Sequence, residues 1–147
     1  MDFKTQAVTA TGLVGIAADA LLIVLASTDS VSTLDPPLAQ ELQRAIKDGD
    51  YDGKAGCMLY AHRVAGVKAS RVAFVQAADS SPKALRKAAT AGLGLLKGGG
   101  AQTLAVATAG FADLGASHGE ALVMAVCDAV YLYRETKPSA PAASKLR

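Results

Sequence analysis

The sequence predicts an α/β fold, in which helices pack on a sheet that contains parallel strands. Three observations support this prediction. The run ALLIVLA, residues 20–26, is apolar at successive positions, as a strand covered on both faces must be. Two segments carry the start and stop signals of helices with one buried face. One of these helices directly links RVAFVQA to TLAVAT, which is the order of a right-handed parallel crossover.

Length and composition predict one compact domain. The chain has 147 residues, of which 51% are hydrophobic and 19% charged, enough for a full core. A net charge of +2 does not by itself indicate a nucleic-acid binder. The longest apolar run, residues 13–26, is shorter than the roughly 20 residues of a membrane-spanning helix, and only Lys4 precedes it as a basic residue. We therefore expect a cytoplasmic protein without a membrane segment.

The first helix follows the central strand. Asp35 can cap it, Pro36 and Pro37 fit its first turn, and Gly49 can end it. Its spacing predicts one buried stripe, formed by Leu38, Leu42, Ala45 and Ile46. The next two segments, CMLYAHRV and RVAFVQA, are strand-like and separated by a short loop, which predicts an antiparallel pair. The two cysteines, Cys57 and Cys127, show no CxxC spacing and are expected to be reduced thiols in the core.

Two further helices complete the predicted domain. Ser81 and Pro82 open the second, which should end at Gly98. The third begins at SHGE, where Ser117 and Glu120 form a capping box, and should extend to about residue 134. Because this last helix is apolar nearly all round, we expect more than the sheet to pack against it. Residues 136–147 are rich in proline, alanine and serine and read as an exposed linker.

The segment DGDYDG, residues 48–53, begins like a calcium-binding EF-hand loop. The twelfth position of such a loop is a glutamate that supplies two oxygens to the ion, whereas this chain has Leu59 there. The following residues are strand-like, although an EF-hand loop leads into a helix. We therefore expect a polar turn that binds calcium no better than millimolar.

No recognisable catalytic constellation is present. The glycines of GLGLLKGGG, residues 92–100, end a helix and lack the Gly-Lys-Ser/Thr of a phosphate-binding loop. His62 should lie in a strand and His118 at a helix start, and neither belongs to a zinc-binding signature. The sequence thus assigns no catalytic, cofactor-binding or metal-binding residue to this chain.

Basic residues form one small cluster and a basic tail. Lys83, Arg86 and Lys87 share the predicted solvent side of the second helix, and the tail adds Lys137, Lys145 and Arg147. The ordinary interpretation is a solvated face, and DNA binding is the alternative that these charges leave open.

The order of the segments resembles the N-terminal domain of the leucyl aminopeptidase (cytosol aminopeptidase) family. The start MDF, the strand LLIVLAS, the helix ending AIKDGDYDGKAG and the segment VKASRVAFVQAAD follow one another as in that family. The family's turn after the helix is matched by Gly49, Tyr51, Gly53, Lys54 and Gly56. One departure is visible after the third strand, where family members often have glycines and this chain has Ala77, Ala78 and Asp79.

The resemblance implies a three-layer α/β/α sandwich with a mixed sheet, similar to macro domains. It assigns residues 1–135 to a non-catalytic N-terminal domain and residues 136–147 to a linker toward a C-terminal catalytic domain. The implied parent enzyme is a hexamer that releases N-terminal amino acids from peptides with two metal ions, zinc or manganese, held by the other domain. Two alternatives stay open, because macro-like domains can bind ADP-ribose-like nucleotides and some bacterial relatives bind DNA.

Overall fold

The central strand of the sheet is β1, Ala20–Leu25, and all six of its residues are fully buried. The computed structural model describes residues 15–27, 34–96, 103–111 and 115–130. In it, β1 pairs in parallel with β3, Arg71–Gln76, on one side and with β4, Leu104–Ala109, on the other. The predicted central position of this apolar run is confirmed. Its neighbours cover its edges, and helices cover both its faces.

The described sheet has four strands in the order β2-β3-β1-β4 and is mixed. Strand β2, Met58–His62, pairs with β3 in antiparallel register, as the short loop between them predicts. Helix α2, Pro82–Leu96, connects β3 to β4, and both of these strands run parallel to β1 between them. The predicted parallel crossover is therefore confirmed.

Alternate residues of the strands point to two separate cores. Helix α1, Pro36–Lys47, covers one face, where Leu21, Ile23 and Phe74 pack with Leu38 and Leu42. Helices α2 and α3, Ala116–Val130, lie on the other face, whose buried residues include Leu22, Val24, Val75, Leu85, Leu93 and Ala125. Over the residues described, the domain is thus an α/β/α sandwich with one helix on one side and two on the other. No helix of the described ranges is long and apolar enough to span a bilayer.

Asp19 links the N-terminal ends of the three parallel strands, β1, β3 and β4, through hydrogen bonds. Its main-chain N–H donates to Thr103 Oγ1, and Thr103 N–H donates to Asp19 Oδ2, both at 3.0 Å. The carbonyl of Asp19 accepts hydrogen bonds from Ser70 Oγ at 3.2 Å and from Arg71 N–H at 3.3 Å. This explains a charged residue within the longest apolar run of the sequence.

The helix starts follow the sequence signals in part. Ser81 caps α2 as predicted, because its Oγ accepts from Ala84 N–H at 3.1 Å. Asp35 occupies the N-cap position of α1, but its side chain makes no capping hydrogen bond. Pro37 removes the N2 donor, so the N–H of Leu38 at N3 is the remaining amide that a cap at Asp35 could accept from.

Helix α3 begins earlier than its predicted capping box. Ser117 lies inside the first turn instead of preceding it. The carbonyl of Gly115 accepts from His118 N–H at 3.1 Å and from Gly119 N–H at 3.3 Å. The side chain of His118 forms a second hydrogen bond with Gly115, because its Nδ1 accepts from Gly115 N–H at 3.2 Å. His118 therefore takes the role that the capping box assigned to Glu120.

Two predicted core positions are wrong. Ile46 is 38% exposed, whereas Leu38, Leu42 and Ala45 of the same stripe are buried. Cys127 is exposed and only Cys57 is half-buried, so the thiols are free as predicted but do not both fill the core. The predicted ends of the second and third helices and the linker 136–147 lie outside the described residues.

Candidate functional site

The turn between α1 and β2 is built around three glycines. Gly49, Gly53 and Gly56 have φ angles of +82°, +74° and +86°, respectively. Residues with a Cβ rarely adopt this left-handed backbone. The glycine spacing that carries the family resemblance is therefore the spacing that this turn requires.

Tyr51 anchors the same turn in the core. The tyrosine is 1% exposed, and its hydroxyl donates to Gln76 Oε1 at 3.0 Å. Gln76 is itself 3% exposed, and its Nε2 donates to Ala77 O at 3.3 Å. Burial raises the pKa of Tyr51 far above its ordinary value, and the nearby Cys57 and Asp52 add to the shift. Tyr51 is thus a neutral structural residue.

The aspartates of the turn do not form an ion site. Asp48 and Asp50 are exposed. Asp52 Oδ1 accepts from Lys54 N–H at 3.0 Å, the chief cause of the lowered pKa of this carboxyl, so Asp52 stabilises the turn itself. Strand β2 begins two residues after Gly56, where an EF-hand would start a helix. Across the ranges that the structure describes, no three His, Cys, Asp or Glu residues are grouped so that they could hold a metal ion.

The two histidines lie in the predicted elements but in different surroundings. His62 ends β2 and is exposed. His118 is buried at the start of α3, and its Nε2 lies 2.8 Å from the carbonyl of Ser80. With Nδ1 accepting from Gly115 N–H, Nε2 is the ring nitrogen that donates to the Ser80 carbonyl. His118 thereby links α3 to the loop that precedes α2.

The basic cluster predicted on α2 is located on its outer side. Lys83 and Lys87 are exposed and Arg86 is half-buried, while Leu85, Ala88 and Ala89 of the same helix are buried. These charges form a small patch on a solvated helix. DNA binding through it stays the untested alternative.

The carboxyl ends of the parallel strands are where an α/β sheet usually binds a nucleotide. In this domain, Asp79 follows β3 at that edge, and its Oδ1 accepts from Ser81 N–H at 2.7 Å. Hydrogen bonds from the Ser81 side chain and main chain lower the pKa of Asp79, so the carboxylate is negative there. A negative charge at the start of α2 opposes a phosphate at this position. The glycines Gly98–Gly100, the other sequence signal for a nucleotide, lie outside the described residues.

The outer face of α3 is apolar and exposed. Ala121, Ala125 and Val126 are buried against the domain. Val123 and Met124 are each 40% exposed, and Cys127 is exposed beside them on the helix surface. The sequence predicted that this helix is apolar on more than one side, and the structure shows which side is uncovered within the described residues.

Comparison with known proteins decides the family. Residues 13–139 match the family model described as the cytosol aminopeptidase family, N-terminal domain. The chain belongs to this family. Probable cytosol aminopeptidases of Methylibium petroleiphilum and Polaromonas naphthalenivorans are 48% and 36% identical to it, in each case over 100% of this chain. A third, from a Polaromonas species, is 32% identical over 93% of the chain.

The cytosol aminopeptidase domain described here is a small part of those relatives. It spans 30%, 28% and 27% of the length of the three proteins, so each of them contains a much longer remainder. Among solved structures, a mutant of tomato leucine aminopeptidase matches with a TM-score of 0.68 over 92% of this chain and 29% of that chain. At 22% identity, this match supports the fold alone.

Sequence reasoning found the turn motif of the cytosol aminopeptidase domain but missed Gln76, the residue that accepts the hydrogen bond of Tyr51 in this turn. Gln76 ends a buried strand and gives no signal of its own, because alternation alone predicts only that the position faces one side of the sheet. His118 was placed at a helix start, yet its contact with Ser80 joins α3 to the loop that precedes α2. Both contacts depend on tertiary packing.

Proposed function

We propose that this chain is the assembly and positioning domain of a metal-dependent leucyl aminopeptidase, a cytoplasmic enzyme that releases N-terminal amino acids from peptides. The relatives that match 93–100% of the chain are named probable cytosol aminopeptidases, and the chain spans only 27–30% of their length. The catalytic work belongs to the longer C-terminal part. The domain described here holds that part in place within an oligomer, expected to be a hexamer.

The metal chemistry is assigned to the C-terminal part because a two-metal site needs a dense set of carboxylates. Two ions that clamp an attacking water lie about 3.5–4 Å apart and require several aspartates or glutamates around them. In the described residues of this chain, acidic side chains are scattered over turns and helix surfaces, and no such cluster occurs. Zinc or manganese is the expected metal of the catalytic part.

The observation that carries the proposed role is the exposed face of α3. Val123, Met124 and Cys127 form an apolar stripe on a helix whose opposite side is buried in this domain. Exposed apolar stripes of this kind are typical of contact surfaces. The relatives extend well beyond the matched region, so they contain a further part that this surface could contact. We propose that the stripe packs against this C-terminal catalytic domain.

The first test is to read the gene past the codon for Arg147. We expect an open frame that continues into a domain rich in aspartate, glutamate and lysine. A stop codon directly after Arg147 would contradict the proposed function.

The second test uses the full-length protein with a charge placed on α3. We expect Met124→Glu to lower the hexamer fraction in sedimentation velocity and to lower leucine-amide hydrolysis with it. The matched control is Ile46→Glu, which places the same charge at a position of similar exposure, 38%, on the opposite layer of the sandwich. The proposal is wrong if the two variants behave alike, or if deletion of residues 1–135 leaves a fully active hexamer.

A further inference from the structure

Strand β2 forms one edge of the described sheet. Its pairing with β3 includes the hydrogen bonds from Gln76 N–H to Cys57 O and from Arg63 N–H to Ser70 O. In an antiparallel ladder, residues that bond to the neighbouring strand alternate with residues that point their N–H and C=O groups the other way. Cys57 and Arg63 are six residues apart, so the bonded positions are every second residue from Cys57. The alternate residues Met58, Tyr60 and His62 therefore present their main-chain groups outward.

This edge lacks the usual protection against pairing. Natural edge strands carry lysine, proline or a bulge that blocks another strand. Strand β2 has the sequence MLYAH and keeps regular register with β3 over all five positions. Met58 and Tyr60 are 39% and 42% exposed on one face of it. A groove lined by Gln40 and Arg44 of α1 and by Tyr60 and His62 of β2 lies between this strand and the helix.

We propose that β2 pairs with β2 of a second copy of this chain, antiparallel and about a two-fold axis at Tyr60, which joins two sheets into one. The register follows from the outward groups. Tyr60 lies opposite Tyr60 of the other copy, and Met58 lies opposite His62, so that each outward residue meets an outward residue. Leu59 lies opposite Ala61 on the other face. Aromatic and apolar cross-strand pairs stabilise such ladders.

The charges at the two ends of β2 favour a second copy of this chain as the pairing partner. The turn before β2 contains exposed Asp48, Asp50 and Asp52 with a single Lys54, so it is negative. The residues after β2 include Arg63, Lys68 and Arg71 and no acidic residue up to the end of β3, so this end is positive. Antiparallel pairing about Tyr60 brings the acidic start of each copy beside the basic end of the other. This contact between the acidic start and the basic end forms twice by symmetry.

The proposed pairing is independent of the proposed function because it uses another surface. Strand β2 lies at the sheet edge, whereas the stripe of α3 lies on a helix of one outer layer. Its test therefore uses the 147-residue chain alone and needs no catalytic part.

The register is tested by single cysteines on β2 in a Cys57→Ser, Cys127→Ser background. In a hydrogen-bonded antiparallel pair, opposite Cα atoms are about 5.5 Å apart, within the range of a disulfide. Tyr60→Cys should therefore give a disulfide-linked dimer on mild oxidation. Met58→Cys is the matched control, because its exposure is similar but its two copies would lie about 13 Å apart at the strand rise per residue.

We expect cross-linking of Tyr60→Cys to be at least tenfold faster than that of Met58→Cys. Sedimentation equilibrium of the unmodified chain should show a dimer fraction that rises with protein concentration and falls with added salt. Tyr60→Lys should shift the chain to monomer, whereas Met124→Lys, on α3, should not. Equal cross-linking rates for the two cysteines, or a monomer at every accessible concentration, would overturn the proposal.

Discussion

The hydroxyl of Tyr51 donates a buried 3.0 Å hydrogen bond to the side chain of Gln76. This contact joins the family's glycine-rich turn to the end of β3. The main chain reinforces it, since Gly56 N–H donates to Gln76 O and Gln76 N–H donates to Cys57 O, both at 2.9 Å. The turn is therefore held to the sheet at three points, and β2 starts from a fixed position.

Tyr51→Phe should destabilise the domain. The substitution keeps the ring but removes the hydroxyl, leaving the buried Oε1 of Gln76 without its donor, which costs about 1–3 kcal/mol. Urea denaturation of the two proteins measures the difference. Tyr60→Phe is the control and should change stability by less than about 0.5 kcal/mol, because Tyr60 is 42% exposed. Equal losses in the two variants would contradict the importance of the buried contact.

Stability should fall in alkali through Tyr51. Burial raises the pKa of Tyr51 in the folded state, while the unfolded chain has the ordinary value of 10.0. Above pH 10.0 the unfolded state therefore loses a proton that the folded state keeps, so the free energy of unfolding decreases as pH rises. Denaturation curves below and above this pH should show a shallower decrease for Tyr51→Phe than for the original chain. Parallel pH profiles would mean that Tyr51 ionises in the folded protein.

Two glycines of α2 should respond in opposite ways to alanine. A Cβ on Gly92 would overlap Cδ1 of the fully buried Leu22 and lie 3.4 Å from Val75 Cγ1, whereas a Cβ on Gly94 meets nothing within 4 Å. Gly94→Ala should stabilise by up to about 1 kcal/mol through helix propensity. Gly92→Ala should destabilise, because overpacking costs about 1–3 kcal/mol and exceeds that gain. Thermal unfolding compares them, and equal midpoints would refute close packing of α2 on β1.

Replacing the two histidines by leucine should separate a structural contact from an exposed one. His118→Leu removes the bonds to Ser80 and Gly115, leaving two main-chain groups without these partners, and should cost about 1–3 kcal/mol. His62→Leu changes an exposed side chain and should cost less than about 0.5 kcal/mol. Chemical denaturation measures both. A His118→Leu protein as stable as His62→Leu would show that the link between α3 and the loop before α2 contributes nothing.

The sequence predicted the elements that depend on local signals. The unbroken apolar run of β1, the Ser81 cap and the antiparallel pair of β2 and β3 were all found from residue order. Ile46 was assigned to the core because helical spacing gives the direction of a buried stripe but not its width. Asp35 was expected to cap because of its residue type, whereas its side chain makes no capping hydrogen bond and Pro37 removes one of the two amides that could supply it.

The candidate surfaces were predicted only in part. That α3 is apolar on more than one side follows from composition, but which side stays exposed depends on how α3 packs with α2. The free edge of β2 depends on the strand order, which places β2 outside β3. Residue order alone gave an antiparallel pair and could not say which of its two strands would face solvent.

The hydrogen bonds between Asp19 and Thr103 cannot form during translation until both residues have been synthesised. These residues are 84 positions apart in the chain, and the second of them directly precedes β4, the strand that pairs with one side of β1. Translation at about 5–20 residues per second needs roughly 4–17 s to cover that separation. For this interval, the most apolar strand of the domain is in the cell without one of its two neighbours. A nascent chain of this kind is expected to need protection from aggregation until β4 has left the exit tunnel.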